Sequence, residues 1–314
     1  MSRTLIPTGP LPSSFVISIT PFAADGSLDE VAYRQHLGRM RAAGLGVYVG
    51  GSGSSEGHSL TADERTRVLQ IAVEELKGHV PLRAMGCEPH IARDMVGYVQ
   101  EVERLGLDAV HIYPIDIGHG AKPNVKEMLA YYDTAIGATT MPVILSTHHS
   151  AGYLLPIDVV ETLIERYAHV RGIVCATSNL LYMAEMVRRV GGQIEVHCGG
   201  PANGAFILSI GGAGFLSNES NFAPHLAADA IAAFKARDLA AFTRSYTLLI
   251  ALHEINGRYG GSSMRAMKPL LNAYGLPGGM LRPPRLPIDA ETVEKIVAEV
   301  TALGIPGLPA PVTA

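Results

Sequence analysis

Eight short apolar runs, each followed by a helical stretch, constrain this chain more than anything else in it. FVISIT (Phe15 to Thr20), GVYVG, PLRAMG, DAVHIYP, PVILS, RGIVCA, QIEVHC and AGFLS occur in that order. Most do not alternate polar with apolar residues, which suits parallel strands covered on both faces. The segments between them have helical spacing. Asp29 opens one that carries Val31, Tyr33, Leu37 and Met40 and ends near Gly44. Thr61, with Glu64 three residues on, forms a capping box, and Pro156 opens a later helix. Strict strand–helix alternation predicts an α/β fold, a closed (β/α)8 or TIM barrel, with an open doubly wound sheet as the competitor. The 314 residues accommodate the roughly 250 that such a barrel needs. From Pro224 onward the pattern is helical only. Residues 1–224 are therefore expected to form the barrel, and residues 225–314 a C-terminal helical extension packed on it as one structural unit.

Composition removes several function classes. Formal net charge is −4 and no Lys/Arg block occurs, so no nucleic-acid partner is expected. No apolar run approaches the roughly 20 residues of a spanning helix, so no membrane partner is expected either. The opening MSRTLIPTGPLPSS lacks the apolar core of a leader peptide. Three cysteines make an odd number in a large chain, which argues for a reducing, cytoplasmic location.

The order of the motifs resembles the dihydrodipicolinate synthase/N-acetylneuraminate lyase family. ITPFAADGSLD is similar to its opening segment, and GSSEGHSLTADER to its Gly-Thr-Thr-Gly-Glu segment. MPVIL, VRGIV, GGAGFLSNESNFAP, MKPLLNAYGL and LRPP follow at family spacing, from about Ser14 to about Pro284. The resemblance implies a class I aldolase-like barrel with three C-terminal helices, a homo-oligomer (tetramer or dimer), and a small carboxylate ligand resembling a 2-keto acid. No dissociable cofactor is implied.

The departures from the family bear on chemistry. The family's Schiff-base lysine ends strand six in a Gly-Ile-Lys pattern. This sequence reads GIVCATS, so Val174 takes that place. The tyrosine that ends the family's strand five is matched by Ser146, and the one after strand four falls near Asp116. Ser54 and Ser55 match the Thr-Thr pair that binds the carboxylate. An imine needs an amine that can attack a carbonyl, and valine has none.

Active sites of such barrels form at the carboxyl ends of the strands. His148 and His149 follow strand five there, in LSTHHSAG. Asp116 and His119 follow strand four, Cys175 ends strand six, and His197 with Cys198 ends strand seven. Cys87 and His90 follow strand three. Three readings stand. In the first, a lyase- or hydratase-type enzyme uses His148, His149, Asp116 and His119 for acid–base work. Its ligand is held by Ser54, Ser55, Ser146, Val174, Cys175 and His197. In the second, the protein binds a small carboxylate without turning it over. In the third, a metal-dependent lyase or hydrolase uses strand-end His, Cys and Asp, although no compact ligand spacing occurs and no metal site is assigned. Lys122, after strand four, is the lysine best placed to restore imine chemistry. Glu56 and Lys268 read as structural.

Overall fold

The computed structural model describes residues 12–260 and 264–312. Most of the segment read above for a leader, residues 1–11, lies outside them. Eight strands close into one parallel barrel in sequence order, which excludes the open sheet. They are β1 (Ser13–Ile17), β2 (Gly46–Val49), β3 (Leu82–Met85), β4 (Ala109–Ile112), β5 (Val143–His148), β6 (Val170–Ala176), β7 (Glu195–Cys198) and β8 (Gly214–Leu216). The intervening helices are α1 (Glu30–Ala42), α2 (Ala62–Leu76), α3 (Ala92–Leu105), α4 (Val125–Ile136), α5 (Ile157–Arg166), α6 (Leu180–Val190) and α7 (Gly204–Ser209). After β8 come α8 (Pro224–Lys235), α9 (Leu239–Gly260), α10 (Met264–Ala273) and α11 (Ala290–Ala302).

Two compact units divide the chain. Of the described residues, one comprises Pro12 and Ser13 with Glu88–Arg104 and Ala109–Leu216; the other comprises Ser14–Cys87, Leu105–Asp108 and those from Ser217 onward. The first holds β4 to β8. Its register runs Val110↔Val143 and His111↔Ile144 between β4 and β5, then Ser146↔Val174 and Thr147↔Cys175 between β5 and β6. It continues Val174↔His197 and Cys175↔Cys198 into β7, and His197↔Gly214 into β8. Ser146, Val174 and His197 thus share one row, and Thr147, Cys175 and Cys198 the next. Neighbouring rows face opposite sides of a sheet. Gly214 has φ +141, and a Cβ there would lie 1.9 Å from the Ser13 carbonyl oxygen, so only glycine lets the backbones approach this closely.

In the second unit β1, β2 and β3 pair in parallel, with Val16↔Val47 and Val47↔Leu82 in register. Asp29 caps α1 by accepting from the Ala32 N–H, and Thr61 and Glu64 complete the capping box of α2. Of the residues that marked α1 in sequence, Tyr33, Leu37 and Met40 are buried, whereas Val31 is 67% exposed. His36 takes a buried place on that helix instead. Its Nε2 lies 2.9 Å from Asn221 Oδ1, and Asn221 donates in turn to the carbonyls of Ile17 and Asn218. Arg39 donates to the Asn221 carbonyl at 2.7 Å and to that of Phe222. These bonds tie α1 to the turn that follows β8.

Candidate functional site

The strand that ends at His148 extends two residues past its apolar run, and His149 begins the turn after it. β5 continues through Thr147 and His148. Residues i and i+2 of a strand share a face, so Ser146 and His148 point the same way. Ser146 is 1% exposed and its hydroxyl has no hydrogen-bond partner. A buried hydroxyl without a partner costs about 1–3 kcal/mol, which makes this atom a candidate ligand contact. Across the row stands Val174, also buried.

His148 is held at Nδ1. That nitrogen accepts the Ser150 backbone N–H at 3.1 Å and lies 2.7 Å from Ser150 Oγ. Ser150 Oγ in turn donates to Glu88 Oε1 at 3.1 Å. The ring meets the edge of Tyr113 at 5.6 Å and stacks on His149 at 4.2 Å. Burial, then the neighbouring His149, hold His148 down at about 4, against the upward pull of Glu88. The imidazole is therefore neutral near pH 7. Because Nδ1 accepts a backbone N–H, the ring proton resides on Nε2. His148 thus offers a fixed N–H donor.

The other expected residues separate into two groups. His149 is exposed and joins His148 by stacking. Asp116 acts within its own loop: its Oδ1 accepts the Gly118 N–H at 2.9 Å, and its carbonyl lies 2.8 Å from His90 Nδ1. His119 is exposed, with a left-handed φ of 52. His197 lies in the row of Ser146 and Val174, with Nε2 2.9 Å from Ser13 Oγ and Nδ1 3.9 Å from Glu195 Oε2. Cys175 is buried in the alternate row. There Thr147 Oγ1 accepts the Leu155 N–H at 3.1 Å, so this row faces the segment leading to α5, away from Ser146. Burial pushes both the Cys175 and Cys198 thiols up, Cys198 to about 12, which suits small packed side chains. Cys87 directs its thiol towards the Gly50 carbonyl at 3.9 Å, and Lys122 is exposed.

In the second unit, Ser54 and Ser55 are both 1% exposed. Ser54 Oγ donates to Asn218 Oδ1 at 2.5 Å, and Ser55 Oγ to the Ser18 carbonyl at 2.7 Å. Their hydroxyls are thus committed to bracing the turn. Among the described residues neither backbone N–H has an acceptor, so the amides are the groups left to bind an anion. Glu56 follows at φ 52. It pairs in the interior with Lys268, which also donates to the carbonyls of Thr20 and Met280 at 2.8 Å each. All three donors of that ammonium are occupied, which fits a structural lysine.

Sequence reasoning missed Glu88, Ser150 and Tyr113. Ser150 carried a signal: a serine two residues after a strand-end histidine can close a turn onto the ring. Glu88 carried none, because its partner lies 62 residues away. Among the described residues no group of three or more His, Cys, Asp or Glu side chains gathers to hold a metal ion. No described helix is long and apolar enough to cross a membrane.

A closed parallel barrel with polar groups at its strand ends defines the class of protein. The chain belongs to the dihydrodipicolinate synthetase family, whose model matches residues 11–303. A probable 5-dehydro-4-deoxyglucarate dehydratase of Bradyrhizobium diazoefficiens is 28% identical over 291 residues, covering 91% of this chain and 88% of the relative. A 4-hydroxy-tetrahydrodipicolinate synthase of Acidiphilium cryptum is 26% identical, covering 93% of this chain and 98% of the relative. Among solved structures, a prophage protein of the dihydrodipicolinic acid synthase family from E. coli K12, in complex with pyruvate, superposes with a TM-score of 0.86. It is 22% identical and covers 94% of this chain and 99% of its own, a likeness of fold.

Proposed function

We propose that this chain is a lyase of dehydratase or hydratase type, acting on a small 2-keto-acid-like carboxylate without a lysine imine. The observation that carries the reading is the neutral His148, pinned at Nδ1 so that Nε2–H is its working group. Loss of water from a keto acid builds negative charge on the carbonyl oxygen as the α-proton leaves. A fixed neutral N–H donor stabilises that oxygen as an enolate. The β-hydroxyl then departs with a proton as water. In this reading His149, stacked on His148, accepts the α-proton, and the unpartnered Ser146 hydroxyl binds a substrate oxygen. Val174 supplies an apolar wall where the family's lysine is expected. Homo-oligomerisation belongs to the same reading.

The name of one relative sets the substrate, 5-dehydro-4-deoxyglucarate; pyruvate, which has no β-hydroxyl to lose, joins the panel as a binding and imine-trapping probe. The test combines turnover with borohydride reduction followed by intact mass. Turnover without a mass adduct supports the proposal. A reduced adduct on any lysine, Lys122 included, overturns it. Tight binding without turnover across the panel replaces it with the carboxylate-binder reading.

A further inference from the structure

The His148 side chain belongs to a longer chain of polar atoms than an ordinary turn needs. A turn closed onto the ring requires only the Ser150 N–H on Nδ1. Here Ser150 Oγ also stands 2.7 Å from Nδ1, and Glu88, from the segment between β3 and α3, reaches it at 3.1 Å. A carboxylate only accepts, and a serine hydroxyl has one proton. A bare Nδ1 at 2.7 Å and Glu88 at 3.1 Å are thus two acceptors for the one Ser150 proton. When the ring takes up a second proton at Nδ1, the hydroxyl can turn wholly to Glu88 and present an oxygen lone pair to the new N–H.

We propose that Glu88, acting through Ser150, is a positioning residue that lets His148 hold a second proton at Nδ1 while Nε2–H faces the reaction. The inference rests on the reading of His148 as the working imidazole. In the protonated state Nδ1–H has Ser150 Oγ as its acceptor and Ser150 Oγ–H has Glu88, while the Ser150 backbone N–H, on an exposed residue, gives up Nδ1 for solvent. The second proton comes from solvent. As the enolate collapses and its oxygen no longer needs the donor, the ring passes its Nε2 proton to the departing hydroxyl, which leaves as water. The ring is then the Nδ1–H tautomer; uptake of a solvent proton at Nε2 and loss of the Nδ1 proton to solvent restore the resting tautomer, in which Nδ1 accepts the Ser150 N–H. The groups that face the ring are His149 by stacking, the Tyr113 ring by its edge, and Glu88 through Ser150. Of these, only Glu88 favours the charged form, while His149 opposes it. Burial without this arm would leave His148 a donor of hydrogen bonds that never becomes an acid.

The test needs no substrate. Full-length protein labelled with 15N-histidine reports the ring nitrogens of His148 directly, with the His148→Gln spectrum giving the assignment. Glu88→Gln is expected to lower the His148 titration midpoint by about half a pH unit or more. Gln can donate to Ser150 Oγ, which turns the hydroxyl proton back onto Nδ1. In a Ser150→Ala background the same Glu88→Gln change is expected to have no further effect, because the two act as one arm. Ser150→Thr, which keeps the hydroxyl, should restore the wild-type midpoint. An unchanged midpoint in Glu88→Gln overturns the proposal. So does an equal change with and without the Ser150 hydroxyl, which would mean a field acting through space. Turnover of His148→Asn tests the catalytic reading separately, so the two can fail independently.

Discussion

At the residue scale, the histidine pair divides into an inner and an outer ring. His148 is half-buried and tied at Nδ1; His149 is exposed and rests on it. The STHH run shows in sequence, because polar residues end an apolar strand at the face where sites of such barrels form. Which ring nitrogen of His148 is tied does not, because it depends on Ser150 and Glu88, brought to the ring only by folding. Cys175 shows the converse problem. It was expected to end its strand, which instead runs one residue further to Ala176, and strand alternation turns it away from the Ser146 row. If His148 is the catalytic donor, His148→Asn should lower turnover of the panel substrate by about 10²- to 10⁴-fold, with an unchanged urea midpoint. The Glu56–Lys268 pair gives a second prediction, on stability alone. Removing one partner of a buried ion pair costs about 3–5 kcal/mol, because the other charge is stranded. Lys268→Met should therefore lose that much in urea unfolding. Lys268→Met combined with Glu56→Gln should lose clearly less.

At the element scale, the strands and helices were legible because each carries its own punctuation. Thr61 and Glu64 close the start of α2, and Asn124 with Glu127 does the same for α4. One helix contradicts its own sequence rule. Pro269 lies inside α10, where it removes the amide that should bond the Arg265 carbonyl. That carbonyl instead accepts the Ile288 N–H at 3.2 Å, so the following segment supplies what the proline withdrew. The turn that carries Ser54 and Ser55 depends on one close approach. A Cβ on Gly57 would fall 2.1 Å from the Gly50 carbonyl oxygen, whereas one on Gly53 meets nothing within 4 Å. Gly57→Ala should therefore cost about 2 kcal/mol or more in urea unfolding, since the displaced atom is backbone. Gly53→Ala should change stability by less than about 1 kcal/mol. Equal effects from the two would mean that the turn does not depend on this contact.

At the scale of the whole molecule, stability depends on histidines that the fold keeps uncharged. His36 is fully buried, and burial, with Arg39 and Lys268 nearby, holds it down at about 3 despite its bond to Asn221. His148 is held down at about 4. Unfolding returns both to the ordinary value of 6.5. Below that value the unfolded chain binds protons that the folded chain refuses. The stability these groups support is thus complete above pH 6.5, and it is lost as pH falls towards 3 and 4. His253 runs the other way. Its bond to Glu219 raises it, so its contribution is complete below 6.5 and is lost as pH rises through the raised folded value. Between pH 6.5 and 5, above the ordinary range of carboxylates, each buried histidine should weaken folding by up to about 1.4 kcal/mol per pH unit. Urea unfolding should show an uptake from His36 and His148 that grows from about one proton at pH 6.5 to about two near pH 5, to which His225, also held down by burial, adds. In His36→Gln the uptake should fall by one, because glutamine can still donate to Asn221 Oδ1 and has no charge to refuse. If the slope persists unchanged in that variant, His36 does not govern the acid limb and the ring must already be protonated in the folded protein.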